Sequence, residues 1–230
     1  MIIAERKPIS EIESFIQDAS KVLILGCRGC VTVCNAGGTK EVEVLASLLR
    51  LSAQKEGRKV TIDERTLERQ CDPEYVEEIN GILSGYDVIL SMACSIGPQF
   101  LTRRYPHQRF YPALNTSFLG GAMAHGIWSE HCQACGDCII HKFGGMCPIS
   151  RCAKSLLNGP CGGSADGFCE ISRDVECVWQ HIAKWMMENY DTAPSGSNEA
   201  DNASNFPPIK DWSRNRDGGP RKIVREDLTK

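Results

Sequence analysis

The chain has 230 residues, 42% of them hydrophobic, 13 cysteines, a formal net charge of −3 and a sequence pI of about 6.0. Lysine and arginine are not clustered in the sequence, so nothing suggests nucleic-acid binding. No run of about 18 apolar residues is present, so no membrane-spanning helix is expected. The N-terminus carries charges where a secretion signal would be apolar, so we expect a soluble, cytoplasmic protein.

The first half of the sequence alternates between helical and strand patterns. Helices are predicted over residues 9–19, 40–54 and 72–83, and short buried strands over residues 21–26, 59–62 and 87–92. Thr39 is expected to cap the second helix, Gly57 to end it, and Pro73 to stand in the first turn of the third. This alternation predicts an α/β domain with a small parallel sheet, spanning residues 1–118.

Five cysteines follow the predicted strands, at the sheet edge where α/β proteins bind ligands: Cys27, Cys30, Cys34, Cys71 and Cys94. A 4Fe-4S cluster needs only four thiolates, so one of the five would be spare, and spacing does not decide which. Cys71 is also compatible with a free cysteine that packs as a small hydrophobic side chain.

Two other segments stand out by their composition. Residues 98–112 are rich in turn formers and hold Arg103, Arg104 and Arg109, so they are expected to be a solvated connector or a docking surface for an acidic partner. Residues 192–230 lack periodicity and are rich in polar and turn-forming residues, which predicts a tail that is disordered or bound to a partner.

Residues 119–191 are predicted to form a second, cysteine-rich module. Three cysteines open it at the spacing Cys132-x2-Cys135-x2-Cys138, which suits an iron-sulfur cluster. Five more follow: Cys147, Cys152, Cys161, Cys169 and Cys177. The total of eight is the number that two four-cysteine clusters need. An odd number of cysteines in the chain and no secretion signal argue against disulfides, so metal is expected to supply much of the folding free energy of this module.

Zinc is the alternative metal, because two four-cysteine zinc sites would consume the same eight thiolates. A two-knuckle zinc ribbon would require a second C-x2-C pair, which this module lacks. Iron-sulfur clusters, two to three in the whole chain, are therefore the favoured interpretation, with zinc possible at one site.

Several motifs resemble a known family. The string Asn158-Gly159-Pro160-Cys161-Gly162-Gly163, together with Cys147-Pro148 and the opening cysteine run, resembles the C-terminal domain family associated with methylenetetrahydrofolate reductase. The N-terminal cysteine loop resembles the small subunit of the two-subunit bacterial reductase. One departure is Ser95, which follows Cys94 where the family favours glycine.

The resemblance implies a non-catalytic subunit of an oxidoreductase complex. Its partner would be the large reductase subunit, which carries FMN or FAD and converts methylene- to methyl-tetrahydrofolate in one-carbon metabolism. The chain would pass electrons between that flavin and a ferredoxin or another iron-sulfur oxidoreductase, with all thirteen cysteines as candidate ligands. The alternatives are a zinc-stabilised assembly subunit of the same reductase and a subunit of a corrinoid methyltransferase system.

Overall fold

The computed structural model describes residues 1–157 and 159–188. The chain forms two compact units that divide between His131 and Cys132. The boundary that the sequence suggests, near residue 119, falls within a strand, Leu114–Ala124. Asn158 and the predicted tail, residues 192–230, lie outside the described residues.

Strands and helices both contribute to the described part of the chain. The strands, in chain order, are β1 (Ile2–Arg6), β2 (Lys21–Cys27), β3 (Thr61–Leu67), β4 (Val88–Met92), β5 (Phe110–Pro112), β6 (Leu114–Ala124) and β7 (Ile127–Cys132). The helices are α1 (Ile9–Phe15), α2 (Cys30–Val33), α3 (Thr39–Lys55), α4 (Pro73–Val76), α5 (Ile96–Arg104), α6 (Pro148–Arg151) and α7 (Val178–Glu188). Short 3₁₀ turns occupy Glu77–Ile79, Leu83–Gly85 and Ile140–Lys142.

The first unit is built on a four-stranded parallel sheet with the order β3-β2-β4-β5, which confirms the predicted α/β fold. Strand β2 is central because both of its faces are apolar. Val22 and Ile24 belong to one core cluster with Leu45 of α3, whereas Leu23 and Leu25 belong to a second cluster that includes residues of α4 and α5. Burial on both faces is typical of parallel strands flanked by helices.

A second sheet, with the order β1-β6-β7, completes the first unit and was not predicted. Strand β1 pairs with β6 in an antiparallel register that joins Ile2 to Leu119 and Arg6 to Leu114. The sheet packs on the same cluster as α3 through Ile3 and Ala4, which are 3% exposed. Strand β1 is therefore part of the core, although its five residues carry no clear strand pattern.

Several predicted elements differ from those observed. The strand predicted over residues 59–62 is Thr61–Leu67, and the helix predicted over residues 72–83 is α4 followed by two 3₁₀ turns. The expected connector over residues 98–112 was wrong in part, because it contains most of α5 and all of β5. Thr39 is not the N-cap of α3. Gly38 occupies that position, and no side chain there accepts a hydrogen bond from the first turn of the helix.

The second unit, as far as it is described, has a small apolar core. Trp179 and Ile182 of α7 pack with Phe143 and Ile149, and the rings of Trp179 and Phe143 meet edge to face at 5.5 Å between centroids. Gly144 has a φ of +61°, and a Cβ there would lie 2.4 Å from the Trp185 ring, so only glycine fits beneath that side chain. The apolar stripe of α7 therefore packs as the core of this unit.

Among residues 1–157 and 159–188, none of the helices has both the length and the apolar character that crossing a membrane requires.

Candidate metal centre

Three parallel strands of the first unit end at the same edge of the sheet, and a cysteine stands in or after each. Cys27 is the last residue of β2, Cys71 lies four residues beyond β3, and Cys94 lies two residues beyond β4. Cys30 begins the short helix α2, one turn after Cys27. The thiol of Cys27 lies 3.9 Å from the carbonyl oxygen of Glu68 and therefore faces the loop that carries Cys71.

The side chain of Gln70 holds these strand ends together. Its amide Nε2 donates to the carbonyl oxygens of Leu25 and Gly26, at 2.7 and 3.0 Å, and its Oε1 accepts from the hydroxyl of Ser91 at 2.6 Å. Gln70 and Ser91 are both fully buried. One side chain thus links the end of β2 and the end of β4 to the loop where Cys71 follows. This role was not predicted, and its one signal in the sequence is a glutamine directly before a cysteine in a loop after a strand.

Glycines allow the loops to approach the strand ends. A Cβ at Gly97 would lie 2.6 Å from the Cβ of Ala93 and 3.0 Å from that of Gln70. A Cβ at Gly37 would lie 1.9 Å from the carbonyl oxygen of Met92, and the carbonyl of Gly37 accepts from the amide of Cys27 at 2.9 Å. These glycines therefore serve the close packing that surrounds the cysteines.

The sulfur of Cys34 contacts backbone carbonyls of β1 and of its own loop. Its sulfur lies 3.7 Å from the carbonyl oxygen of Ala4 in β1 and 3.6 Å from that of Val31. It lines a pocket of about 390 Å³ beside β1, together with Ala4 and Lys40. Of the five cysteines, Cys34 is thus the one whose contacts direct it toward β1.

The charges of neighbouring thiols contribute to the pKa of three of the five cysteines, Cys34 included. Burial is the main cause that raises the pKa of Cys71 and of Cys94, and the charges of neighbouring cysteines raise both further: Cys27 and Cys30 act on Cys71, and Cys71 and Cys27 act on Cys94. Burial also raises the pKa of Cys34, where the charges of Cys30 and Glu41 add to it.

Cys94 has an additional feature that suits a ligand. It lies two residues before α5, and the backbone N–H groups of Ile96 and Gly97 lower its pKa, opposing the effect of burial. Donors at the first turn of a helix favour the thiolate form that metals bind.

In the second unit, the three cysteines of the opening run are exposed. The run folds as a tight loop in which Ala134 and Gly136 have φ values of +51° and +90°. The amide of Ala134 donates to the sulfur of Cys132 at 3.3 Å, the kind of N–H···S bond that tunes iron-sulfur clusters.

Four later cysteines line one small cavity of the second unit: Cys152, Cys161, Cys169 and Cys177. Cys147, the remaining cysteine of this unit, directly precedes α6 and packs against the apolar core of the second unit.

No disulfide joins any of the thirteen cysteines, all of which lie in the described part of the chain. Within that part, no three or more His, Cys, Asp or Glu side chains are already grouped so that they could hold a metal ion. The fold brings the cysteines to the same regions, but their sulfur atoms are not arranged around a common point. Metal sites commonly complete their geometry only on binding. The donor set, four thiols at each of two places, suits zinc or an iron-sulfur cluster.

The comparisons with known proteins concern mainly the second unit. Neither the curated proteins nor the solved structures returned a match to the chain. Residues 111–213 match the family described as methylene-tetrahydrofolate reductase C terminal. The match covers somewhat less than half of the chain and supports, for this segment, the family that the cysteine motifs suggested.

Proposed function

We propose that this chain is an iron-sulfur electron-transfer subunit that serves a flavin-containing methylenetetrahydrofolate reductase. The reductase assignment is supported by the family match of residues 111–213. The electron-transfer role is supported by the thiols of both units. The chain itself is proposed to hold and tune clusters, while folate reduction takes place on the flavin-bearing partner.

The observation that carries the proposal is that four cysteines lie at the carboxyl edge of the parallel sheet. Cys27, Cys30, Cys71 and Cys94 come from the ends of three adjacent strands. Four cysteine thiolates are the ligand set of a 4Fe-4S cluster. The structure therefore favours these four as ligands of the first-unit cluster, with Cys34 as the spare.

The position of this site suits electron transfer. Cys27 and Cys94 are buried, whereas Cys30 is half-exposed and Cys71 is exposed. A cluster on these sulfurs would be sheltered on the side of the sheet and close to the surface on the side of Cys71. Solvent exposure and N–H···S bonds are among the factors that set cluster potentials, so Cys71 and the amides near Cys94 would tune this one.

Metal analysis tests the proposal. Protein expressed and purified without oxygen should contain about eight iron and eight sulfide per chain, the sum of two four-iron clusters. After reduction, the chain should bleach in the visible range and then reduce the flavin of an added large subunit. Absence of iron and sulfide, or reduced clusters that leave the flavin oxidised, would refute the electron-transfer role.

A zinc-stabilised assembly subunit is the second candidate function. The observation that favours it is the small cavity in the second unit that four cysteines line. This candidate predicts zinc without sulfide. It also predicts that the chain supports the reductase without itself being oxidised or reduced.

A further inference from the structure

The four cysteines at the small cavity of the second unit come from separate turns that the local fold brings together. Cys152 directly follows α6. Cys161 begins a turn in which its carbonyl oxygen accepts from both the amide and the hydroxyl of Ser164, at 3.3 and 3.2 Å. Cys169 and Cys177 flank a short antiparallel bridge between Phe168 and Glu176.

Backbone bonds fix the last two cysteines especially well. The amide of Cys169 donates to the carbonyl of Val175 at 2.8 Å, and the amide of Cys177 donates to that of Gly167 at 2.7 Å. Gln180 of α7 accepts from the amide of Gly167 at 2.7 Å, which ties the bridge to the helix. Cys169 and Cys177 are both buried, at 9% and 8% exposure. These backbone bonds place the two residues beside the cavity.

The small size of the cavity favours a single ion over a cluster. Its volume is about 10 Å³, which is room for about one water-sized sphere. Trp179, which is 2% exposed and donates from Nε1 to the carbonyl of Leu156 at 3.0 Å, forms part of the wall. A single ion needs the four sulfurs to move inward. A cube of four iron and four sulfide atoms needs the wall, including this anchored tryptophan, to move outward.

Side chains of both charges lie beside the cavity. Four thiolates around one divalent cation leave a net charge of −2; Arg151, Lys154 and Glu176 line the cavity, and Arg151 pairs with Glu176 at 3.7 Å. Lys154 forms an ion pair with Glu170, whose second oxygen accepts from the thiol of Cys161 at 3.3 Å. Cations near bound thiolates lower the cost of holding their charge in a partly buried place.

We propose that Cys152, Cys161, Cys169 and Cys177 form a mononuclear four-thiolate site for a zinc-like divalent ion, separate from the other cysteines of the second unit. The site has four protein ligands and no open position, so its role is structural. Cys132, Cys135, Cys138 and Cys147 then remain as the four ligands of an iron-sulfur cluster in this unit. This partition deepens the proposed function, since it rests on metal binding by these cysteines.

The test is metal content per chain, with sulfide, for anaerobically purified full-length protein and two single variants. Wild-type protein should hold about one zinc. Cys161→Ala should lose that zinc and keep its iron and sulfide, whereas Cys135→Ala should lose about four iron with their sulfide and keep the zinc. The partition is overturned if Cys161→Ala loses iron and sulfide, or if Cys135→Ala loses the zinc.

X-ray absorption at the zinc edge of the wild-type chain provides a readout that does not depend on the folding of variants. Four sulfur neighbours at about 2.3 Å are expected for the proposed ligand set. Nitrogen or oxygen neighbours at zinc, or wild-type protein without zinc, would overturn the site. Zinc present without any iron would instead refute the electron-transfer function and leave this site standing.

Discussion

At the scale of single residues, the proposed division of the five N-terminal cysteines can be tested directly. Replacing Cys71 by alanine should remove about four iron per chain, because it deletes one of the four proposed ligands at the sheet edge. Replacing Cys34 by alanine should leave iron unchanged, because its thiol faces Ala4 of β1. Iron and sulfide analysis of the two variants checks this, and iron loss confined to Cys34→Ala would reverse the assignment.

Gln70 offers a second prediction at this scale. Gln70→Leu keeps a side chain of similar size but leaves the buried hydroxyl of Ser91 without its acceptor. The loss should be about 2 to 3 kcal/mol of unfolding free energy in urea. The loop that carries Cys71 should also lose its fixed position against β2 and β4, so iron occupancy should fall.

Gln99→Leu is the matched control for that experiment. Gln99 also donates from its amide to a backbone carbonyl, that of Ser95 at 2.9 Å, but it is exposed. Its replacement should leave both stability and iron almost unchanged. Equal stability of the two variants would show that the bonds of Gln70 do not support the site.

Sequence reasoning at the residue scale could place the cysteines but not orient them. The rule that ligands bind at the carboxyl ends of parallel strands brought Cys27, Cys71 and Cys94 to one edge, where the structure has them. The orientation of Cys34 depends on β1, an element whose pairing partner β6 lies more than a hundred residues away in the sequence. No local pattern carries that information.

At the scale of elements, Gly37 joins the cysteine loop to the end of β4. A methyl group at this position would lie 1.9 Å from the carbonyl oxygen of Met92, a backbone atom that cannot rotate away. Gly37→Ala should therefore cost about 1 to 3 kcal/mol of unfolding free energy, the range of overpacked sites. Gly121→Ala in β6, where a Cβ meets nothing within 4 Å, is the control and should cost little. Similar losses in both would contradict the close packing of the loop on β4.

Asp87 joins the starts of β2 and β4 and gives their pairing a pH dependence. Its Oδ2 accepts from the amides of Ser20 and Lys21, at 2.8 and 2.9 Å, and these bonds lower its pKa below the ordinary 3.8. A carboxylate with a lowered pKa stabilises the fold above its ordinary pKa, and the contribution is lost as the pH falls through the folded-state value.

The variant Asp87→Asn isolates this effect. The melting temperature of the wild-type chain should exceed that of the variant at about pH 7, and the difference should shrink as the pH falls below about 4, where the unfolded-state carboxyl gains its proton. A difference that stays constant down to acid pH would show that the charge of Asp87 does not support the strands.

The elements that the sequence predicted well are those whose residues are buried in a regular pattern. Strands β2 and β4 are apolar on both faces, and α3 buries one stripe. Strand β3 was placed too early because it is an edge strand. Its charged residues Asp63, Glu64 and Arg65 interrupt the alternation of apolar and polar residues by which a strand is recognised. Helix α5 was missed because Gly97 and Pro98 suggest a turn, although proline is tolerated in the first turn of a helix.

At the scale of the whole molecule, the two units differ in what holds them together. The first unit has two clusters of buried apolar residues, on the two faces of its sheet. The described part of the second unit has one smaller cluster around Trp179, and eight cysteines. The binding of a structural zinc ion contributes about 10 kcal/mol or more, comparable with the whole stability of a typical domain. Metal should therefore decide whether the second unit is folded.

Removing the metals tests that difference directly. Treatment of the full chain with a strong chelator under anaerobic conditions should abolish amide protection over residues 132–188 while β2 and β4 keep theirs, as followed by hydrogen exchange and mass spectrometry. Returning zinc without iron should restore protection around Cys169, Cys177 and α7, because the proposed mononuclear site needs only that ion. If protection is lost from both units together, the first unit also depends on metal; if the second unit keeps its protection without metal, the apolar cluster around Trp179 is sufficient to fold it.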